Sequence, residues 1–541
     1  MSLESNQFFG LQTKTLVGTH LNYRFSEKFN LGGTVLRLTE RPYTQKVTYG
    51  EDPISNTIYG FDASYRAESQ LLTSAIDWLP FIQTKAPSSI NFFGEFAHLV
   101  PGHSRAITSE GAVYIDDFEA SEISLDLRAF NAWSLASVPQ GQDHLFPEAR
   151  LSKDIRSGIN RALTAWYVID PLFLRNGSTT PGHIRANPDL QSSHFVREIY
   201  ETEIFPFKES PSGIPTNISV LNVAFYPEER GPYNFDVLPG AYSAGLNTDG
   251  LLNSPRTRWG GMMRELLTND FESANIQYIK FWVMDPFVEN PDHEGGDLYF
   301  NLGNISEDIL RDSRKQFENG LPNSPLLVNV DTTVWGRVPT VQAVVHAFDN
   351  NIDSRRYQDV GLDGLSNEDE ASFFDSFLQE VGVVVSPEVL DQILDDPSND
   401  DFHYFRGSDY DRLELGILER YKRFNGTEGN SPTSEMSDES YPTSGTTLPD
   451  MEDINRDNTL SETESYYQYH ISLRPEDMVV GENFIVDELE YTATFANGEK
   501  SPVRWYQFKI PVTDYERRIG SIRDFKSIRF LRMFMRNFDE Q

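Results

Sequence analysis

From residue 8 to residue 100 the chain alternates apolar and polar side chains with a period of two. Val17, Thr19, Leu21, Tyr23 and Phe25 point one way, while Gly18, His20, Asn22 and Arg24 point the other. A Ser26-Glu27-Lys28 turn follows. Phe29, Leu31, Gly33 and Val35 then alternate with Asn30, Gly32, Thr34 and Leu36. Tyr59, Phe61, Ala63 and Tyr65 repeat the pattern, as do Ile90, Phe92, Gly94 and Phe96. Successive side chains of a strand leave on opposite faces, so this spacing predicts four two-faced strands. Each runs roughly nine to eleven residues, a length that crosses an outer membrane when tilted. Trp78, Pro80 and Phe81 fit an aromatic belt at a membrane interface. The same alternation also suits an amphipathic sheet in a soluble sandwich. Four strands do not close a barrel, so the membrane reading requires strands from elsewhere.

Beyond residue 103 the pattern shortens. Residues 104–345 read as a β-sandwich-like domain, with strands around Val113–Ile115, Val220–Phe225, Ile276–Met284 and Leu298–Leu302. A helix is predicted from Ser306, where Glu307 and Asp308 suit its N-terminal dipole, to Phe317. Residues 346–424 turn helical and acidic. Ser366 precedes Phe373, Phe374, Phe377 and Leu378, and Ser386-Pro387-Glu388 reads as an N-cap followed by proline at the first helical position. Residues 425–451, rich in Ser, Thr, Pro, Gly and acid, read as a linker. In 452–538 strands return: Tyr467, Tyr469, Ile471 and Leu473 alternate, and Asn497-Gly498 marks a hairpin between Tyr491–Ala496 and Val503–Ile510. The predicted fold class is mainly β with minor α.

Charge narrows the possible partners. The 541 residues carry 82 acidic and 46 basic side chains, a formal charge of −36, which argues against nucleic acid and for divalent cations or a salty, exposed setting. The excess is uneven. Residues 1–100 hold 9 acidic and 8 basic side chains, whereas Asp349 to Asp401 holds 15 and 2. The absence of cysteine excludes disulfides, thiolate zinc sites and cysteine nucleophiles. The first residues lack the basic and apolar regions of an export signal, so none is expected there. No apolar run approaches a spanning helix, so any membrane contact is expected through strands.

Two acidic loops have the spacing of calcium sites. In DINRDNTLSETE, Asp453, Asn455, Asp457, Thr459, Ser461 and Glu464 fall at loop positions 1, 3, 5, 7, 9 and 12, with Leu460 as the apolar anchor. Position 6 is Asn458, which tolerates the left-handed region better than most residues. In DVGLDGLSNEDE, Asp359, Asp363, Gly364 and Glu370 are in place, and Gly361 stands where an oxygen ligand is usual. The alternative reading of both is a solvated acidic turn.

Signs of catalysis are sparse. No phosphate-cradling glycine loop, nucleophile elbow or zinc-binding His-Glu pair is present, and the histidines are scattered. Asp116, Asp117 and Glu119 have the composition of paired glycosidase carboxylates. Beside the apolar Tyr114-Ile115 they fit metal or backbone bonding at a sheet edge better. Trp133, Trp166, Trp259, Trp282 and Trp335 suit either a sugar-stacking platform or a buried core, the core being favoured. The basic strip Arg517, Arg518, Arg523, Lys526, Arg529, Arg532 and Arg536 is expected to dock on an acidic surface of the same chain.

Longer strings carry a resemblance. EGAVYIDDFEASEISLDLRAFNAWSLASVPQ (110–140), YPEERGPYNFD (226–236), LYFNLGNISEDILRDSRKQFENGLP (298–322), QDVGLDGLSNEDE (358–370), WYQFKIPVTDYERRIGSIRDFKSIRFLRMF (505–534) and ERPYTQKVTYGEDPISNTIYG (40–60) resemble the gliding-motility SprA/Sov family of Bacteroidetes. The resemblance implies an internal piece of a very large outer-membrane β-barrel, the translocon of the type IX secretion system, which conducts folded cargo to the cell surface without catalysis. It further implies a barrel partner that receives cargo laterally and a periplasmic plug. Residues 8–100 would be barrel strands and 104–541 largely a folded, extracellular insertion, with calcium in the acidic loops. The competing expectation is a secreted, calcium-stabilised adhesin or carbohydrate-binding module. A glycoside hydrolase is a third.

Overall fold

The computed structural model describes residues 14–26, 28–40, 55–77, 88–102, 124–206, 216–349, 351–424 and 448–541. The chain is mainly β, with several antiparallel sheets and short helices. It divides into two compact units. One comprises Met1–Ser124 and Phe205–Thr216, the other Leu125–Ile204 and Asn217–Gln541.

In the first unit, β1 (Lys14–Ser26), β2 (Phe29–Glu40), β3 (Ser55–Ser69) and β4 (Ser88–Val100) form an antiparallel meander in sequence order. The strands have 13, 12, 15 and 13 residues, longer than the alternation alone marked out. The register is continuous across the sheet. Tyr23 pairs with Leu31, Leu31 with Ala63 and Ala63 with Gly94; Gly33 pairs with Leu21 on one side and Phe61 on the other, and Phe61 with Phe96. One face therefore carries Val17, Leu21, Tyr23, Leu31, Val35, Tyr59, Phe61, Tyr65, Ile90, Phe92 and Phe96. Within this unit that face is uncovered: Leu21 is 72 % exposed, Phe92 63 % and Phe96 61 %.

The opposite face presents His20, Asn22, Arg24, Asn30, Thr34, Asp62, Arg66 and Glu95. Phe93 interrupts it, and Leu16, Leu36, Leu38, Ile58 and Leu99 form an apolar patch toward one end. His20 Nδ1 lies 2.7 Å from Thr34 Oγ1. Gly32 pairs with Asp62 and leaves room for its carboxylate. A short helix, α1 (Gln70–Asp77), follows β3, with Ser69 Oγ accepting from Leu72 N at 3.4 Å. The alternation did not announce it. Trp78, Pro80 and Phe81 lie outside the described residues, as does the expected strand Val113–Ile115.

The second unit is built on strands gathered from its whole length: β5 (Ser134–Leu135), β6 (Ala162–Tyr167), β7 (Asn222–Arg230), β8 (Trp259–Glu265), β9 (Tyr278–Met284), β10 (Gly296–Asn304), β11 (Ser465–Leu473), β12 (Ile485–Thr494), β13 (Lys500–Pro511), β14 (Arg517–Ile519) and β15 (Phe530–Arg536). A six-stranded sheet runs β14-β11-β10-β15-β8-β5, a three-stranded sheet β9-β13-β12, and β6 pairs with β7. The two larger sheets meet face to face, with the Phe281 ring 5.5 Å from Phe300 and Tyr469 donating its hydroxyl to Val512 O at 2.5 Å. The middle strand β10 is buried from Gly296 to Gly303. The hairpin predicted at Asn497-Gly498 joins β12 to β13, with Gly498 at φ 89° and Thr494 paired with Lys500.

Three helices, α2 (Asn367–Phe373), α3 (Asp375–Val384) and α4 (Pro387–Asp395), form the expected acidic helical segment. Ser366 and Ser386 cap α2 and α4, each accepting a backbone N–H at 3.4 Å. Phe374, between α2 and α3, and Phe377 of α3 pack on Phe235, ring centroids 4.4 and 5.0 Å away. Farther along, Tyr421 stacks on Tyr167 at 4.5 Å and accepts Asp170 N–H at 2.8 Å, closing a second apolar cluster.

The helix expected from Ser306 to Phe317 does not form. Its amides are taken by buried carboxylates instead of by carbonyls four residues back. Glu452 Oε1 accepts Ile309 N and Leu310 N at 2.8 and 3.0 Å, and Asp308 accepts Asp312 N and Ser313 N at 3.0 Å. Arg311 and Ser313 adopt φ 59° and 60°, which a right-handed helix excludes.

Candidate metal centre

Three segments of the second unit converge on one buried point. The loop before α2 supplies Asp363, the first turn of α2 supplies Glu370, and the turn after α4 supplies Asp400. One oxygen from each lies within 4.8 Å of the others, and all three residues are buried. The loop is set from below by Glu318, whose Oε1 accepts Val360 N and Gly361 N at 2.9 and 2.6 Å while Oε2 accepts Asp450 N at 2.5 Å. Ser398 aims two of the carboxylates: its Oγ donates to Asp363 Oδ2 at 2.5 Å and its N–H to Glu370 Oε2 at 2.8 Å. Asn399, at φ 55°, turns the chain so that Asp400 follows directly. Asp400 Oδ1 and Oδ2 and Glu370 Oε1 are buried and accept no hydrogen bond.

The electrostatics follow from crowding. Burial pushes Asp363, Glu370 and Asp400 above the ordinary carboxylate range; the Asp396 charge adds to all three, that of Asp363 to Glu370 and Asp400, and that of Glu370 to Asp400. Asp396 accepts Asp400 N at 3.1 Å and lies 3.6 Å from Arg423, and Asp401 accepts Asn367 Nδ2 at 2.9 Å, so these two neighbouring carboxylates are already bonded. An arrangement of hard oxygens without nitrogen or sulfur suits a calcium-like or magnesium-like cation.

Of the loop expected to bind calcium at Asp359–Glu370, the structure brings Asp363 and Glu370 together. Asp359 turns away and pairs with Arg355 at 2.9 Å. Asp400 was not foreseen; the only signal for it was the acidic run Asp395–Asp401.

The Asp453–Glu464 loop has the turn its spacing predicts, with Asn458 at φ 68° and Asp453 accepting Asp457 N and Asn458 N at 2.9 and 2.8 Å. Its candidate ligands are bonded within the chain. Asn455 and Thr459 bond Asp457, Asp457 pairs with Arg529 at 2.7 Å, and Ser461 Oγ accepts from Arg529 at 3.0 Å. Glu464 pairs with Arg532 at 2.9 Å. Arg529 and Arg532 neutralise Asp457 and Glu464, while Lys315 lies 3.5 Å from Asp453. The basic strip thus docks on this acidic loop, and Lys526 reaches Glu272 at 3.7 Å.

Asp116, Asp117 and Glu119 lie outside the described residues. Trp133, Trp166, Trp259 and Trp335 are buried in the core and Trp282 is partly buried, so they offer no stacking platform.

Residues 376–541, which include α4, Asp400 and strands β11 to β15, match the model of a family described as motility related/secretion protein (SprA_N). No curated protein matches the chain.

Proposed function

From the match of residues 376–541 to the SprA_N family of motility-related/secretion proteins, we propose that the chain serves, without catalysis, in an outer-membrane channel that exports proteins to the cell surface. The four-stranded sheet is then a section of barrel wall. Its apolar face meets lipid, and its face bearing His20, Asn22, Arg24, Asp62 and Glu95 meets the water-filled interior. The second unit is a folded insertion on the outer side, where the long insertions of such barrels lie. Secreted cargo, a barrel that receives cargo laterally and a periplasmic plug are the partners this role calls for.

One observation carries the reading. The aromatic and aliphatic residues of the first unit line one face of a sheet whose strands exceed ten residues, and they are exposed. In water each large apolar side chain left uncovered forgoes about 1.5–3 kcal/mol, whereas in a bilayer the same exposure is favourable. The edges β1 and β4 need further strands, since lipid offers no hydrogen bonds to unpaired backbone. The test is to separate inner and outer membranes of the source cells, detect the native polypeptide with an antibody raised to this chain, and deplete it. An outer-membrane band, with loss of exported proteins from the cell surface on depletion, supports the role. A water-soluble polypeptide whose loss leaves export intact refutes it.

A further inference from the structure

We propose that Asp363, Glu370 and Asp400 form a binding site for one divalent cation of calcium type, which ties together the loop at 359–365, the start of α2 and the turn at 398–401. This site is independent of the export role. Acidic clusters on surfaces are common, but this one is buried and incompletely bonded. Asp400 is 5 % exposed and Glu370 wholly buried, yet three of their oxygens accept nothing. A buried carboxylate oxygen without a donor costs free energy comparable to a lost hydrogen bond or more.

Two nearby basic side chains spend hydrogen bonds on other groups. The buried Arg230 gives its Nε to Asn234 O at 2.8 Å and a terminal nitrogen to Pro397 O at 2.7 Å, and Arg337 bonds Asp369 at 2.6 Å. The spacing suits a shared ion. One oxygen from each lies within 4.8 Å of the others, close enough for an ion bound at about 2.4 Å to touch all three. Three carboxylates leave room for backbone carbonyls or water to complete the six to eight oxygens that calcium takes. Gly361, at φ 76°, lets the loop backbone close over the point, since a Cβ there would lie 2.0 Å from Asp400 Oδ2.

The experiment uses the 541-residue chain in detergent, stripped with chelator and dialysed into metal-free buffer. Calcium, and separately magnesium, is titrated while heat of binding and thermal midpoint are followed. The expected result is about one strongly bound calcium per chain and a midpoint that rises with calcium. Asp400→Asn and Glu370→Gln, each near-isosteric, should lose that binding by more than about tenfold, while Asp457→Asn in the other acidic loop keeps it. Circular dichroism establishes that each variant is folded. A stripped wild-type chain that binds neither cation overturns the proposal by itself. Folded Asp400→Asn and Glu370→Gln variants that keep the wild-type response also overturn it.

Discussion

Arg532 grips Glu464 with both terminal nitrogens, 2.9 Å to Oε1 and 3.0 Å to Oε2, and neither side chain reaches solvent appreciably. The pair welds the end of the acidic loop to β15 in the larger sheet. Removing one member of a buried pair leaves the other charge uncompensated and costs about 3–5 kcal/mol. Glu464→Gln should therefore lower the denaturant midpoint substantially, and equally in calcium and in chelator. A loss that appears only with calcium would show that Glu464 is a ligand rather than an arginine partner.

Glu318 is expected to be as sensitive, through backbone rather than charge. It accepts three amides, those of Val360, Gly361 and Asp450. Glu318→Ala should cost more than about 2 kcal/mol and accelerate hydrogen exchange at Val360 and Gly361. Unchanged exchange there would show that the loop is held by other contacts.

Asp312 gives a pH dependence with a definite sign. Burial, with the neighbouring Asp308 charge, raises its carboxyl to about 6, and Arg314 N–H opposes the rise. A carboxyl raised in the folded state contributes stability while protonated, fully present below its ordinary value of 3.8, and loses it as pH climbs through about 6. Asp312→Asn, permanently neutral and still an acceptor for Arg314 N–H, should melt higher than wild type at pH 8. The difference should vanish near pH 3.5. A deficit at pH 8 would contradict this assignment.

Ser386 is a simpler case. Its hydroxyl accepts Val389 N–H at the start of α4. Ser386→Ala should cost about 1 kcal/mol, and Ser386→Asp should restore it. Equal chemical-denaturation midpoints for all three would remove the cap from the account.

What the sequence made legible was local. The period of two from Val17 to Phe96 is a property of each strand by itself, and the meander needs only neighbours to pair. The cap at Ser386 and the hairpin at Asn497-Gly498 are likewise short-range. The larger sheet is not, because β10 lies between β11 and β15, strands whose sequences begin at Ser465 and Phe530. The helix expected at Ser306 failed for the same reason, since Glu452, 143 residues from Ile309, takes its amides. Loop spacing placed Asp363 and Glu370 in one site but had no means of adding Asp400. The spacing at Asp453–Glu464 had no means of showing that Arg532, 68 residues beyond Glu464, bonds its last position.

The most direct test of the barrel reading uses the absence of cysteine from these 541 residues. Leu21→Cys and Asn22→Cys, made in the full-length polypeptide in intact outer membranes, place a thiol on each face of β1. The account predicts that Leu21→Cys is labelled by a lipid-dissolved maleimide and protected from a water-soluble one, and that Asn22→Cys shows the reverse. Labelling of Leu21→Cys by the water-soluble reagent at the rate of an exposed loop would contradict it.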